Sequence, residues 1–227
     1  MSSSEDPVAI RVERIPRAYE ARELAQATAV PIDSQKNWRR EKILPAHDGV
    51  GRVRTPVDDL VMINFLGIIA KSINDLRVAK AIAEAAVPDG IKILEELSGM
   101  VRFEDDNGSP WVPSVVELTA VMPRFHKWDQ GSAFLFVPLP LVDYTTAAFL
   151  LKDASEISVK CSGYANGLLL NIRKVIEELA TKLEGPVVTY RKTDVMKHDD
   201  PDRPETWHHF VIARLEDPLG SAETASP

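Results

Sequence analysis

The chain is short of residues that announce chemistry. Its 227 residues include one cysteine, Cys161, so an intrachain disulfide and a zinc site built from cysteines alone are both excluded, and a reducing compartment is expected. No Walker-type phosphate loop, no G-x-G-x-x-G, no H-E-x-x-H, no G-x-S-x-G and no C-x-x-C occurs, which removes the enzyme classes recognised by those motifs. No apolar run reaches the ~20 residues that span a bilayer. Residues 1–6 have no basic region leading into an apolar one, so no secretory signal is read and a cytoplasmic location is expected. Basic residues are the minority, 27 Lys and Arg against 34 Asp and Glu. The resulting charge of −7 argues against a surface that grips nucleic acid throughout, while leaving room for a local basic segment.

Against this background one stretch stands out. Thr55-Pro56-Val57-Asp58-Asp59 opens with a helix-start pattern, a capping Thr, a Pro that has no N–H to leave unpaired, and two carboxylates at the positive end of the helix dipole. From Leu60 to Ala70 apolar side chains fall all round a helix of period 3.6. Such a helix must be covered on both faces, which makes 56–70 the expected central buried helix.

The remaining elements follow from pattern and punctuation. Helical spacing continues through Ile73, Leu76, Ala79, Ala83 and Ala86, with Pro88 and Gly90 expected to end the helix and a short one to follow from Asp89 to Ser98. Asn107-Gly108 marks a hairpin, and Ser114 with Glu117 forms a capping-box pattern. The apolar segment 133–142 holds Pro138 and Pro140, so it is expected to be extended and not a central strand. A short helix over 145–152, a strand over 156–161 and a long helix near 164–183 are expected next, then strands at 187–190 and 210–215. The fold class is α+β, mostly helical, with a few short antiparallel strands.

Residues 1–54 have a different texture, with ten Lys and Arg against eight Asp and Glu and four spaced prolines. They read as an extended N-terminal arm before a single globular domain over 55–220 and a polar, disordered tail over 221–227. Within the arm, Lys36, Trp38, Arg39, Arg40, Arg52 and Arg54 form a basic set with one aromatic, suited to nucleic acid or a protein partner. Arg124, Lys127 and Trp128 repeat that chemistry, cations beside a ring that can stack. A metal site is sketched by His198, Asp199, Asp200 and His208, imidazole and carboxylate at close spacing. His208 and His209, adjacent on a strand, point to opposite faces and do not share an ion readily. Cys161 precedes a helix start, where a thiol can be activated, yet no histidine is near in sequence to act as its base.

Together these features point to a non-enzymatic subunit of a homo-oligomer of the coat, nucleocapsid or scaffold type, its arm reaching neighbours and contacting nucleic acid. No cofactor and no membrane partner is expected. Two other readings stand beside it: a metal-dependent hydrolase using the 198–209 loop, and an adaptor whose alanine stripe, residues 73–86, receives a partner helix.

Overall fold

In chain order the elements are β1 (Ile10–Pro16), β2 (Ala18–Glu20), α1 (Ala21–Thr28), α2 (Ile32–Arg40), β3 (Arg54–Pro56), α3 (Val57–Ile69), α4 (Leu76–Glu96), β4 (Val101–Glu104), β5 (Phe134–Leu139), β6 (Phe149–Leu151), α5 (Ala154–Lys160), β7 (Asn166–Asn171), α6 (Ile172–Ala180), β8 (Val188–Asp194) and β9 (His209–Ile212). They come from a computed structural model that describes residues 10–45, 54–114, 117–118, 133–139, 148–194 and 209–212. The fold is α+β, helices with small antiparallel sheets. Two compact units are formed, one from Met1–Ile15, Phe103–Pro123 and Tyr190–Pro227, the other from Pro16–Arg102 and Arg124–Thr189.

The second unit is built on α3, whose Val57, Leu60, Val61, Met62, Ile63, Phe65, Leu66 and Ile69 are all buried. It starts one residue later than the cap pattern suggests, with Pro56 at the cap position. Thr55 instead lies in β3, where its hydroxyl accepts a hydrogen bond from Arg39 at 3.2 Å. Helices α1 and α4 pack against α3. Residues 16–45, expected as part of an extended arm, form α1 and α2 in this unit, burying Tyr19, Leu24, Ala27, Val30 and Trp38. At Gly67 an added Cβ would come within 2.5 Å of Val30, so this crossing needs a glycine.

Helix α4 corrects the expectation that Pro88 ends it, because it runs on to Glu96. Pro88 is exposed, while Ala79, Ala83, Ala86, Gly90, Ile93 and Leu94 form one buried seam on both sides of it. Burial of that seam outweighs the hydrogen bond lost at proline, worth ~3 kcal/mol or more in an isolated helix. Gly90 faces α3, where an added Cβ would meet Phe65 at 2.8 Å and Val61 at 3.0 Å.

Three further boundaries differ from the pattern. The long helix near 164–183 is shorter, since residues 166–171 form β7 and α6 begins only at Ile172. The strand expected at 156–161 is α5, capped by Asp153, which accepts from the Ser155 N–H at 2.7 Å and the Glu156 N–H at 3.3 Å. Within the helix expected at 145–152, Phe149–Leu151 is strand β6. In each case antiparallel pairing to β5 or a local cap overrides apolar periodicity too short to decide between helix and strand.

Strand β5 is central, in the order β6-β5-β7, despite Pro138. The Ile172 N–H donates to the Ala133 carbonyl at 2.8 Å, and the register continues as Leu135↔Leu170 and Val137↔Leu168. Because bonded and non-bonded pairs alternate, Pro138↔Gly167 is a non-bonded pair. The missing proline N–H would point toward the β6 side, where the last pair among the described residues is Phe136↔Phe149.

In the first unit the described strands order as β4-β8-β1-β9, with β1 and β9 antiparallel. The Asn-Gly turn is formed as expected, with Gly108 at φ +77° and the Asp105 N–H bonded to the Ser109 carbonyl at 2.9 Å.

Two substitutions on one turn of α4 are expected to move stability in opposite directions. Pro88→Ala restores a helical donor at an exposed position and should raise urea-unfolding stability by about 1–3 kcal/mol. Gly90→Ala gains helix propensity but drives a methyl into Phe65, and should lower stability by about 1–3 kcal/mol.

Candidate functional site

The sheet β6-β5-β7 is apolar on both faces. Leu135, Val137 and Leu170 are buried on one of them. The other carries Phe136 with its register partners Phe149 and Leu169, and beside them Phe134, Leu151 and Gly167. Helix α5 covers part of this second face through Ile157, and Cys161 follows at its end. Tyr164 extends the cluster, its ring 5.9 Å from Phe136 and 5.6 Å from Phe149. Gly167 is required for this packing, since a Cβ there would sit 2.3 Å from the Phe136 ring.

The cover is incomplete. Tyr164 remains 40% exposed and Leu169 44%, and Val159 on α5 is 76% exposed. Strand β7 also has an outer edge that no described strand pairs. Its sequence, Asn166-Gly167-Leu168-Leu169-Leu170-Asn171, holds no charge and no proline, the two devices that commonly guard sheet edges.

Cys161 sits at the C-terminal end of α5, not before a helix start, and is buried beside Phe136 and Leu151. Burial pushes its thiol upward, with Lys160 opposing, so the thiolate that a nucleophile needs is disfavoured.

Among the expected binding residues, Trp38 is a core peg, with its carbonyl taking the Ile43 N–H at 2.8 Å. Arg39 is half-buried. Burial pulls its guanidinium below the ordinary value while Asp59 opposes. Asp59 in turn is raised by burial and by Asp58, against Arg39 and Lys80. Lys36 is exposed and pairs with Asp33 at 3.5 Å, and Arg40 and Arg54 are exposed. Among the described residues of this set, buried Trp38 therefore offers no exposed ring for stacking beside the cations. Arg52, Arg124, Lys127, Trp128, His198, Asp199, Asp200 and His208 lie outside the described residues. Among the described residues no three His, Cys, Asp or Glu side chains gather as a metal site.

Sequence reasoning missed a polar cluster in the first unit. The buried Glu104 carboxylate accepts from Arg191 Nε at 2.8 Å. Lys192 donates to Glu117 at 3.2 Å and lies 5.3 Å above the Trp111 ring. Phe103 stacks on Tyr190 and meets Trp111 edge-on. These cations are taken up by carboxylates: Glu104 with Arg191 ties β4 to β8, and Glu117 with Lys192 ties the capping-box segment to β8. The capping box is present as expected: the Ser114 N–H donates to Glu117 at 2.7 Å and the Glu117 N–H to the Ser114 hydroxyl at 3.2 Å. Burial raises the Glu117 carboxyl, but bonds from Ser114 and Lys192 outweigh it and hold it below the ordinary carboxylate value.

Comparison with protein-family models, with curated proteins and with solved structures finds no match.

A carboxyl lowered on folding stabilises above its unfolded pKa and loses that contribution as pH falls through the folded value. Glu117→Gln should therefore cost about 1 kcal/mol at neutral pH, the difference fading below about pH 4 in urea unfolding followed by tryptophan fluorescence. Cys161 should react with a disulfide reagent far more slowly in native protein than in denaturant, timed by release of the coloured thiol.

Proposed function

We propose that this chain is a structural subunit that associates with copies of itself, of the coat or scaffold kind. The observation carrying this reading is the incomplete cover above buried Phe136, which leaves Tyr164 and Leu169 partly exposed. Partly exposed tyrosine and leucine side chains beside an unguarded strand edge are the kind of surface that another chain covers.

The other readings have less on their side. The adaptor reading needs a free alanine stripe, but Ala79, Ala83 and Ala86 are fully buried on the seam that continues to Gly90 against α3. A nucleic-acid role would rest on Lys36, Arg40 and Arg54 among the described residues, without Trp38, which is buried. The hydrolase reading rests wholly on residues outside the described part of the chain.

Light scattering coupled to size exclusion on the full chain tests the proposal. The expected mass is a multiple of 25.2 kDa, rising with protein concentration, with an absorbance ratio of protein alone. A 25.2 kDa species at every concentration would remove the reading. Truncation to Thr55 is not a clean test, because it strips Tyr19, Leu24, Ala27 and Trp38 from the core.

A further inference from the structure

The outer edge of β7 has a definite hydrogen-bonding phase. Leu168 and Leu170 belong to bonded pairs with β5, so their N–H and C=O groups point inward to that strand. The N–H groups of Gly167, Leu169 and Asn171 and the C=O groups of Gly167 and Leu169 therefore point to the other side, where no described backbone group meets them. The Asn171 carbonyl already serves the first turn of α6, as its position directly before the helix requires.

The other strand edges in this unit are guarded. β6 is three residues long and is followed by Lys152; β2 carries Glu20; and β3 has Arg54 and Pro56. β7 is the longest of the edge strands described in this unit and the one with no charge or proline either within it or directly beside it.

We propose that β7 pairs antiparallel with β7 of a second copy across a two-fold axis centred on Leu169, joining two three-stranded sheets into one. This rests on the self-association reading above and names its contact.

The occupant follows from charge and symmetry. A chain of net charge −7 repels its own copies, and an uncharged edge meets its symmetry mate without opposing like charges. A two-fold axis normal to the sheet keeps each face on its own side, so the register must be centred on a residue. Centring on Leu169 is the choice that brings all three outward-pointing residues into bonded positions. The two Leu169 residues then exchange both hydrogen bonds, and each Asn171 N–H meets the Gly167 carbonyl of the other copy. Leu169 side chains would meet beside Phe136 and Tyr164 on the incompletely covered face, removing apolar area from water together with the edge.

Hydrogen exchange on the full, unmodified chain at rising concentration tests this. The Gly167, Leu169 and Asn171 amides should slow by about tenfold or more as the mass rises. A Leu169→Cys variant tests the register, because bonded partners have Cα atoms about 5.5 Å apart, within disulfide range. Mild oxidation should give a covalent dimer with Leu169→Cys and little with Val159→Cys, an exposed control away from the strand. An oligomer whose three amides exchange at a concentration-independent rate would overturn the β7 contact while leaving self-association standing. Equal cross-linking at both positions would overturn the register. A monomer at every concentration would overturn both proposals.

Discussion

The second unit depends on one constraint, that α3 is apolar round its whole circumference and must be enclosed. A helix with one apolar stripe can rest on a single partner, whereas α3 needs neighbours on every side. The chain supplies α1 and α4, and it sets glycines where the approach is tightest, Gly67 against Val30 and Gly90 against Phe65. The burial of residues 16–45 follows from the same demand, since the turn carrying Val30 is among the surfaces that enclose α3. Spaced prolines and a local basic excess gave that segment the look of an arm. Its few large apolar residues are pegs into a core that the rest of the chain begins.

Legibility tracked how local the deciding interaction was. The central helix, the Asn-Gly turn and the Ser114 capping box could be read because a few adjacent residues decide each one. The errors lie where distant residues decide. Leu168-Leu169-Leu170 suits helix or strand, and pairing to β5 makes it a strand. Pro138 seemed to bar β5 from the middle of a sheet, yet it falls at a non-bonded pair with β7 and past the last described pair with β6. Pro88 seemed to stop α4, but the buried seam carries the helix past it. The candidate site was the least legible part. The incompletely covered face emerges only when Phe136, Phe149, Tyr164 and Leu169, spread over three elements and a loop, are brought together.

The same comparison explains why the basic residues misled. Charge in a sequence shows what is available, whereas the fold decides what is left over. Arg39 is held by Thr55, and Arg191 and Lys192 by Glu104 and Glu117. With many cations taken up in this way, apolar surface becomes the more informative remainder.

The order of the first unit's sheet has a consequence for synthesis. β1 lies between β8 and β9, so neither of its neighbours exists until residue 188 has been made, and Ile10 waits for Ile212. A strand whose partners arrive at the other end of the chain closes late, and its unpaired backbone is available to wrong partners in the meantime. On the ribosome the α3-centred unit could gather its helices while the N-terminal strand still waits. For this protein the hazardous interval therefore runs from the emergence of β1 until β8 and β9 have been made, and a chain cut short before β8 would carry β1 with neither of its neighbours.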